Sequence, residues 1–279
     1  MNTAAIAHIH IKKVNAAVVT DAEDFLAAEE PLEIKLIHGP SHNRQQQSLT
    51  VTMRTPGHDE ELATGFLFTE GIIRSVADIT NIRQISGTLP GSNVIQVTLR
   101  EQVTPELKTT QRNFLATSSC GMCGKAGIDA ILTGVKKQEV SSPFLFPAAL
   151  LHRIPGTLQA AQQIFENTGG LHAAALFNTD GTLLLMREDI GRHNAVDKII
   201  GASLDTAATV LSRCLLLLSG RAGFELIQKA AMAGIPIIAA VGAPSSMAVK
   251  MAQEWDITLI GFLREQRFNI YSGAERITF

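Results

Sequence analysis

Apolar and polar residues partly alternate along three stretches in the first third of the chain: LEIKLIHG (32–39), SLTVTMRT (48–55) and NVIQVTLR (93–100), the last following the turn-forming LPGSN. A period of two with β-branched side chains predicts half-buried strands. One segment between them has a different period. PGHDEELATGFLFTEG (56–71) places Asp59, Glu60 and Glu61 in a first turn, spaces Leu62, Phe66 and Leu67 at helical intervals and ends on Gly71, so it predicts a helix. Residues 101–146 are irregular; within and just after them, AGIDAILTGV (126–135) predicts a short helix and SSPFLFP (141–147) a linker.

Further on, short apolar runs replace alternation. LHAAALF (171–177) and TLLLMRED (182–189) flank NTDG (178–181), which signals a hairpin. The second half of IGRHNAVDKIIGASL (190–204) reads as helix. Then CLLLLSG (214–220), IPIIAAVG (235–242) and ITLIGFL (257–263) predict buried strands, separated by the helical RAGFELIQKAAMAGIP (221–236) and PSSMAVKMAQEW (244–255). Strand–helix–strand–helix–strand with short joints predicts a parallel sheet with crossover helices. The expected class is α/β (α+β overall). It is divided into a smaller β-rich domain, 1–140, ending in a cysteine-bearing loop, and an α/β domain, 141–279.

Composition narrows the possibilities. With 46% hydrophobic and 18% charged residues over 279 positions, the chain has enough apolar surface for a sizeable core. A formal net charge of −2 offers no global field for nucleic acid or an anionic membrane, so an anionic ligand would need a local seat. The N-terminal stretch has no basic head followed by an apolar run, and LLLL (215–218) is too short to span a bilayer. A cytoplasmic protein is expected, and three cysteines in a reducing compartment argue against a disulfide framework.

The strand-to-helix joints are the first candidate chemistry, because ligands of open α/β sheets sit beyond the carboxyl ends of the strands. EDIGRHN (188–194) carries Gly191, Arg192 and His193; SGRAG (219–223) carries Ser219, Gly220 and Arg221; VGAPSS (241–246) carries Gly242, Ser245 and Ser246. Glycine lets backbone N–H groups approach a ligand, and helix starts favour anions. Each joint alone is better read as a helix cap. Three in succession, two with arginine, suit a polyanion such as a nucleotide or pyrophosphate. Neither a phosphate-loop lysine motif nor G-x-G-x-x-G occurs.

The second candidate is SSCGMCGKAG (118–127), with Cys120 and Cys123 among glycines. Zinc would need about four ligands, and the pair supplies two; His172 and Cys214 are the other candidates, one opening a strand and one set to be buried. A zinc deaminase would need a glutamate where Ala174 stands. Dithiol redox chemistry expects a strand–helix junction rather than a Gly-rich loop. A third reading is a sulfur carrier, a thiolate favoured by Lys125 or Arg112 and moved between two partners by its glycines.

Six segments in order carry a resemblance: MRTPGHDEELATGFLFTEGII (53–73), SSCGMCG (118–124), GGLHAAALF (169–177), REDIGRHNAVDKIIG (187–201), LSGRAGFELIQKAAMAGIPIIAAVGAPSSMAV (218–249) and LIGFLREQRFNIY (259–271). On these the chain resembles the FdhD family of formate dehydrogenase accessory sulfurtransferases. The resemblance implies a cytidine-deaminase-like C-terminal domain and a homodimer. It implies a sulfurtransferase that takes persulfide sulfur from a cysteine desulfurase and passes it to the molybdenum bis-guanine-dinucleotide cofactor before insertion into formate dehydrogenase. Cys120 would be the persulfide carrier and Cys123 an auxiliary thiol. FLREQR would bind the cofactor through Phe262, Leu263, Arg264, Glu265, Gln266 and Arg267, with GDP as a partial mimic; Leu263, Glu265 and Gln266 depart from residues some members carry there. His193 and Asp197 would orient the ligand or merely serve their helix. No structural metal is expected. The alternatives are a chaperone that holds the cofactor without chemistry and a degenerate zinc deaminase.

Overall fold

A computed structural model describes residues 3–86, 93–107, 144–204 and 209–279. Its strands are β1 Ile6–Asn15, β2 Val18–Ala27, β3 Glu30–His38, β4 Gln45–Arg54, β5 Ile79–Ser86, β6 Asn93–Leu99, β7 Phe146–Pro147, β8 His172–Phe177, β9 Leu183–Asp189, β10 Leu215–Leu218, β11 Ile237–Ala240, β12 Thr258–Gly261, β13 Asn269–Ser272 and β14 Ile277–Thr278. Its helices are α1 Asp59–Thr69, α2 Ala148–Leu151, α3 Ile154–Ala161, α4 Gln163–Thr168, α5 Arg192–Leu204, α6 Phe224–Met232 and α7 Ser246–Glu254.

The alternating stretches form a four-stranded sheet in the order β4-β3-β6-β5. Leu32, Ile34 and Leu36 of β3 face inward at every second position and pack, with Ile95 and Val97, against Leu62 and Leu67 of α1. The strands β1 and β2, which the sequence patterning did not resolve, form a separate ten-residue antiparallel ribbon.

The apolar runs build a six-stranded sheet, β13-β12-β11-β10-β8-β9. The three expected crossover strands, β10, β11 and β12, are parallel. The β8–β9 hairpin pairs antiparallel with β10, and β13 adds an antiparallel edge that the patterning did not anticipate, so the sheet is mixed. Both faces are covered. Leu216, Leu218, Ile238 and Leu259 face α5, α6 and α7, while Leu215, Leu217, Ile237 and Ile260 face Phe146 and the α2–α3 segment. Burial on both faces explains why these strands read as continuous apolar runs. The class is α/β, as expected. The end of the expected linker at 141–147 is instead structural: Phe144 and Phe146 are buried, and β7 pairs with β14. Helix α5 also begins a few residues earlier than expected, at Arg192.

The two sheets meet through α1 and α5, and glycines set their separation. A Cβ on Gly201 of α5 would lie 1.9 Å from the Glu61 carbonyl oxygen of α1. Beside this crossing, Asp189 (0% exposed) pairs with Lys198 (1%) at 2.7 Å. The same carboxylate accepts from the Thr55 and Gly191 N–H groups and from Asn194 Nδ2, and Lys198 donates to the Thr55 carbonyl. A buried pair with its remaining hydrogen bonds filled is the tolerable form of buried charge. It fixes the end of β4 to the start of α5, and so fixes the first candidate joint.

Candidate functional site

The parallel strands end on one edge, and their joints continue the sheet by hydrogen bonding to one another. Val241 N–H donates to the Leu218 carbonyl at 2.9 Å, Gly242 N–H to Gly220 at 2.9 Å, Ala222 N–H to Ala243 at 3.2 Å and Phe262 N–H to Gly242 at 3.1 Å. This stacking requires glycine at 242, where a Cβ would lie 2.8 Å from the Gly220 oxygen and 2.9 Å from the Arg221 nitrogen. The joint after β9 reaches the same edge because β9 and β10 both run antiparallel to β8 and so share a direction. His193 Nε2 sits 2.7 Å from Glu225 Oε2 at the start of α6.

A cavity of about 840 Å³ opens at this edge. One wall is Ser219, Gly220 and the turn Leu263–Arg267; the other is α3–α4 with Gln159, Gln162 and Phe165; His172 closes it at the start of β8. Of the expected residues, then, Ser219, Gly220, Leu263, Arg264, Glu265, Gln266 and Arg267 line one cavity. Gly191, Arg192, His193, Arg221, Gly242, Ser245, Ser246 and Phe262 do not line it, although they lie on the same edge. Leu263 is fully buried, so its side chain belongs to the core beneath the turn. Arg264 Nη1 donates to the Val241 and Leu263 carbonyls at 2.7 and 2.8 Å, which holds the turn down. Ser245 serves as a helix cap, its Oγ accepting from Ala248 N–H at 3.2 Å. Asp197 lies away from the edge, buried against Thr69 and Lys229 at 2.8 and 2.9 Å. Burial opposes the Lys229 charge, but Asp197 and Glu70 outweigh it and hold its pKa above the usual lysine value.

Two residues stand out physically. Phe262 has φ +53° and is 43% exposed, an unusual backbone for a bulky side chain presented to solvent. His172 was considered above only as a zinc ligand at the start of a strand. Burial and then the charges of Arg192 and His193, with a smaller part from Arg221, push its pKa below the usual histidine value, so it is neutral near pH ~7. Among the described residues, no three His, Cys, Asp or Glu side chains form a metal-binding group. Cys120 and Cys123 lie outside the described residues, as do Arg112 and Lys125. Cys214 is buried, and burial pushes its thiol up to about 11. No helix among the described residues is long and apolar enough to cross a membrane.

The molecule is an α/β protein whose mixed sheet carries a glycine- and arginine-lined cavity at its carboxyl edge. The chain belongs to the FdhD/NarQ family, whose model matches residues 27–278. It is 51% identical to the sulfur carrier protein FdhD of Mycolicibacterium paratuberculosis, over 90% of this chain and 91% of the relative. It is 48% identical to that of Streptomyces coelicolor, over 95% and 93%, and 39% identical to that of Sulfurisphaera tokodaii, over 98% and 99%. The fold is similar to the crystal structure of a chain described as a formate dehydrogenase accessory protein from Desulfotalea psychrophila. The TM-score is 0.75 at 24% identity, over 98% of this chain and all of that one.

Proposed function

We propose that this chain is a sulfur carrier required for formate dehydrogenase activity. Cys120 thiolate attacks the outer sulfur of a cysteine desulfurase persulfide; the new S–S bond forms on Cys120, and the desulfurase thiolate leaves. The acceptor is the molybdenum bis-guanine-dinucleotide cofactor, a substrate held at the sheet edge; Cys123, the auxiliary thiol, attacks Cys120 Sγ, so that the outer sulfur leaves as sulfide for the cofactor and a Cys120–Cys123 disulfide forms. The observation that carries the reading is the convergence of all the candidate joints on one carboxyl edge beside a cavity of about 840 Å³. The donor set fits a guanine dinucleotide. Gly220 lines the cavity where pyrophosphate would lie, Arg221 and Arg267 offer charge, and Phe262 offers an exposed ring to a base. A homodimer working in the cytoplasm belongs to the same proposal.

The test is to incubate the protein with a cysteine desulfurase and cysteine and weigh it intact. A carrier gains the mass of one sulfur atom on Cys120, and Cys120→Ser gains none. A cofactor chaperone without sulfur chemistry would gain none in either form. In cells, Cys120→Ser abolishes formate dehydrogenase maturation while the protein folds; retained activity would remove Cys120 from the pathway.

A further inference from the structure

His172 begins β8, and the antiparallel pairing of β8 with β10 sets it beside the joint that follows β10. Its ring packs on Gly220: a Cβ there would lie 3.1 Å from His172 Nδ1 and 3.3 Å from Cε1. The ring lines the cavity next to Ser219 and Gly220. Ser219 Oγ accepts the Ala173 N–H at 2.8 Å, and its hydroxyl hydrogen can still donate. A ligand phosphate resting on Gly220 would therefore meet a hydroxyl and an imidazole together.

We propose that His172 is the proton-uptake site of the sheet-edge cavity: it becomes an imidazolium as a ligand phosphate binds beside Gly220. This rests on the nucleotide reading above and goes beyond it by coupling that binding to pH.

The charges around the ring set the direction. Arg192 and His193 face it from α5, Arg221 from the joint after β10 and Asp189 from β9; Glu225 neutralises part of the His193 charge. Across the cavity stand Arg264, Glu265 and Arg267. In the free protein, burial and this cationic surround keep the imidazole neutral near neutrality. A phosphate dianion reverses the local field and offers an acceptor for a second ring N–H, so the charged ring becomes favoured and its pKa rises on binding. Proton and phosphate binding are then reciprocal. Affinity increases as pH falls through the liganded pKa, and the gain ends once pH passes below the lower pKa of the free protein.

The test uses the full chain and GDP, titrated calorimetrically in pairs of buffers with different ionisation enthalpies between about pH 8 and pH 6, the range around an ordinary imidazole pKa. The wild-type protein takes up a fraction of a proton per GDP bound, and His172→Gln loses that uptake. The wild-type to His172→Gln affinity ratio rises as pH falls, by at most about tenfold per pH unit for one linked proton. Taking the ratio cancels the titration of the phosphate itself. Guanosine, without phosphate, shows no uptake attributable to His172. A measurement without any variant follows the His172 Cε1–H resonance through a pH titration, whose midpoint rises when GDP is saturating. GDP binding with a flat ratio and an unmoved His172 midpoint would overturn the proposal and leave the nucleotide reading standing. Failure of GDP to bind the folded protein at all would overturn both.

Discussion

Gly65 of α1 lies so close to Asp197 of α5 that a Cβ on the glycine would sit 1.8 Å from the Asp197 carbonyl oxygen. Backbone, rather than a movable side chain, occupies the space, so the helices must separate to accept a methyl group. Gly65→Ala is expected to destabilise the protein by about 3 kcal/mol, at the upper end for overpacking, as read in urea unfolding. Gly156 of α3 has nothing within 4 Å of its would-be Cβ. There the alanine variant should be neutral or more stable by up to about 1 kcal/mol, through helix propensity and reduced unfolded-state freedom. Equal effects at the two sites would contradict a contact set by glycine.

The buried pair beneath the first joint should be costly to break from one side. Lys198→Met leaves the Asp189 carboxylate, 0% exposed, without its 2.7 Å partner. The expected loss is about 3–5 kcal/mol, a large share of a typical domain's stability. Because Asp189 also accepts from Gly191 N–H and Asn194 Nδ2, amide exchange at Gly191 should accelerate with it. Unchanged stability would mean that the carboxylate finds other partners.

Glu61 gives a pH-dependent prediction. Burial raises its pKa, but hydrogen bonds from Arg187 and His58 more than offset this and bring it down to about 2 from 4.5. The folded pKa lies below the unfolded one, so the stabilisation is complete above 4.5 and disappears as pH falls towards 2. With partial exposure and screening, its size is about 1–2 kcal/mol. Wild type should lose that much more stability than Glu61→Gln across this window in acid unfolding. Parallel profiles would show that the Arg187 contact contributes nothing.

Much of this was legible in the chain. The joints stood out because Gly, Ser and Arg interrupt otherwise unbroken apolar runs, and α1 was marked by its acidic first turn and Gly71. The β1–β2 ribbon was not legible because it is exposed on both faces: His8, His10, Lys12 and Lys13 face solvent along with Val14, leaving no buried side to impose a period. Strand β13 is only four residues, none of them fully buried, and its pairing with β12 is irregular, so its direction is a tertiary outcome. The cavity was half legible. Its Leu263–Arg267 wall is contiguous in sequence, while Phe165, Gln162 and His172 reach it only through the packing of α3, α4 and β8. Glycines 65 and 201, inside strongly helical segments, were the overlooked signal of close helix contact.

Cys214 should be chemically silent in the native protein. It is 2% exposed, and its thiol is pushed up to about 11, so little thiolate exists near neutrality. Iodoacetamide labelling of the folded chain should leave Cys214 unmodified and reach it only after denaturation. Rapid native labelling at Cys214 would make it a competing sulfur acceptor and weaken the assignment of Cys120.

Phe262 offers a test that separates stability from function. Its φ of +53° is a conformation that costs an ordinary side chain about 1–2 kcal/mol and costs glycine almost nothing. It is 43% exposed, so more than half of the residue is buried and removing the ring forfeits about 1–2 kcal/mol of burial. Phe262→Gly should therefore unfold at a similar or slightly lower denaturant concentration, the relieved strain offsetting part of the lost burial and of the greater freedom of the unfolded glycine. If the ring is held there for a base to stack on, the same variant should weaken GDP binding by about 1–3 kcal/mol, roughly five- to 150-fold. Phe262→Leu, which keeps the strain and much of the burial but loses the ring, should weaken binding with little change in stability. Loss of stability with unchanged GDP affinity in both variants would make Phe262 a packing residue and move the base elsewhere along the edge.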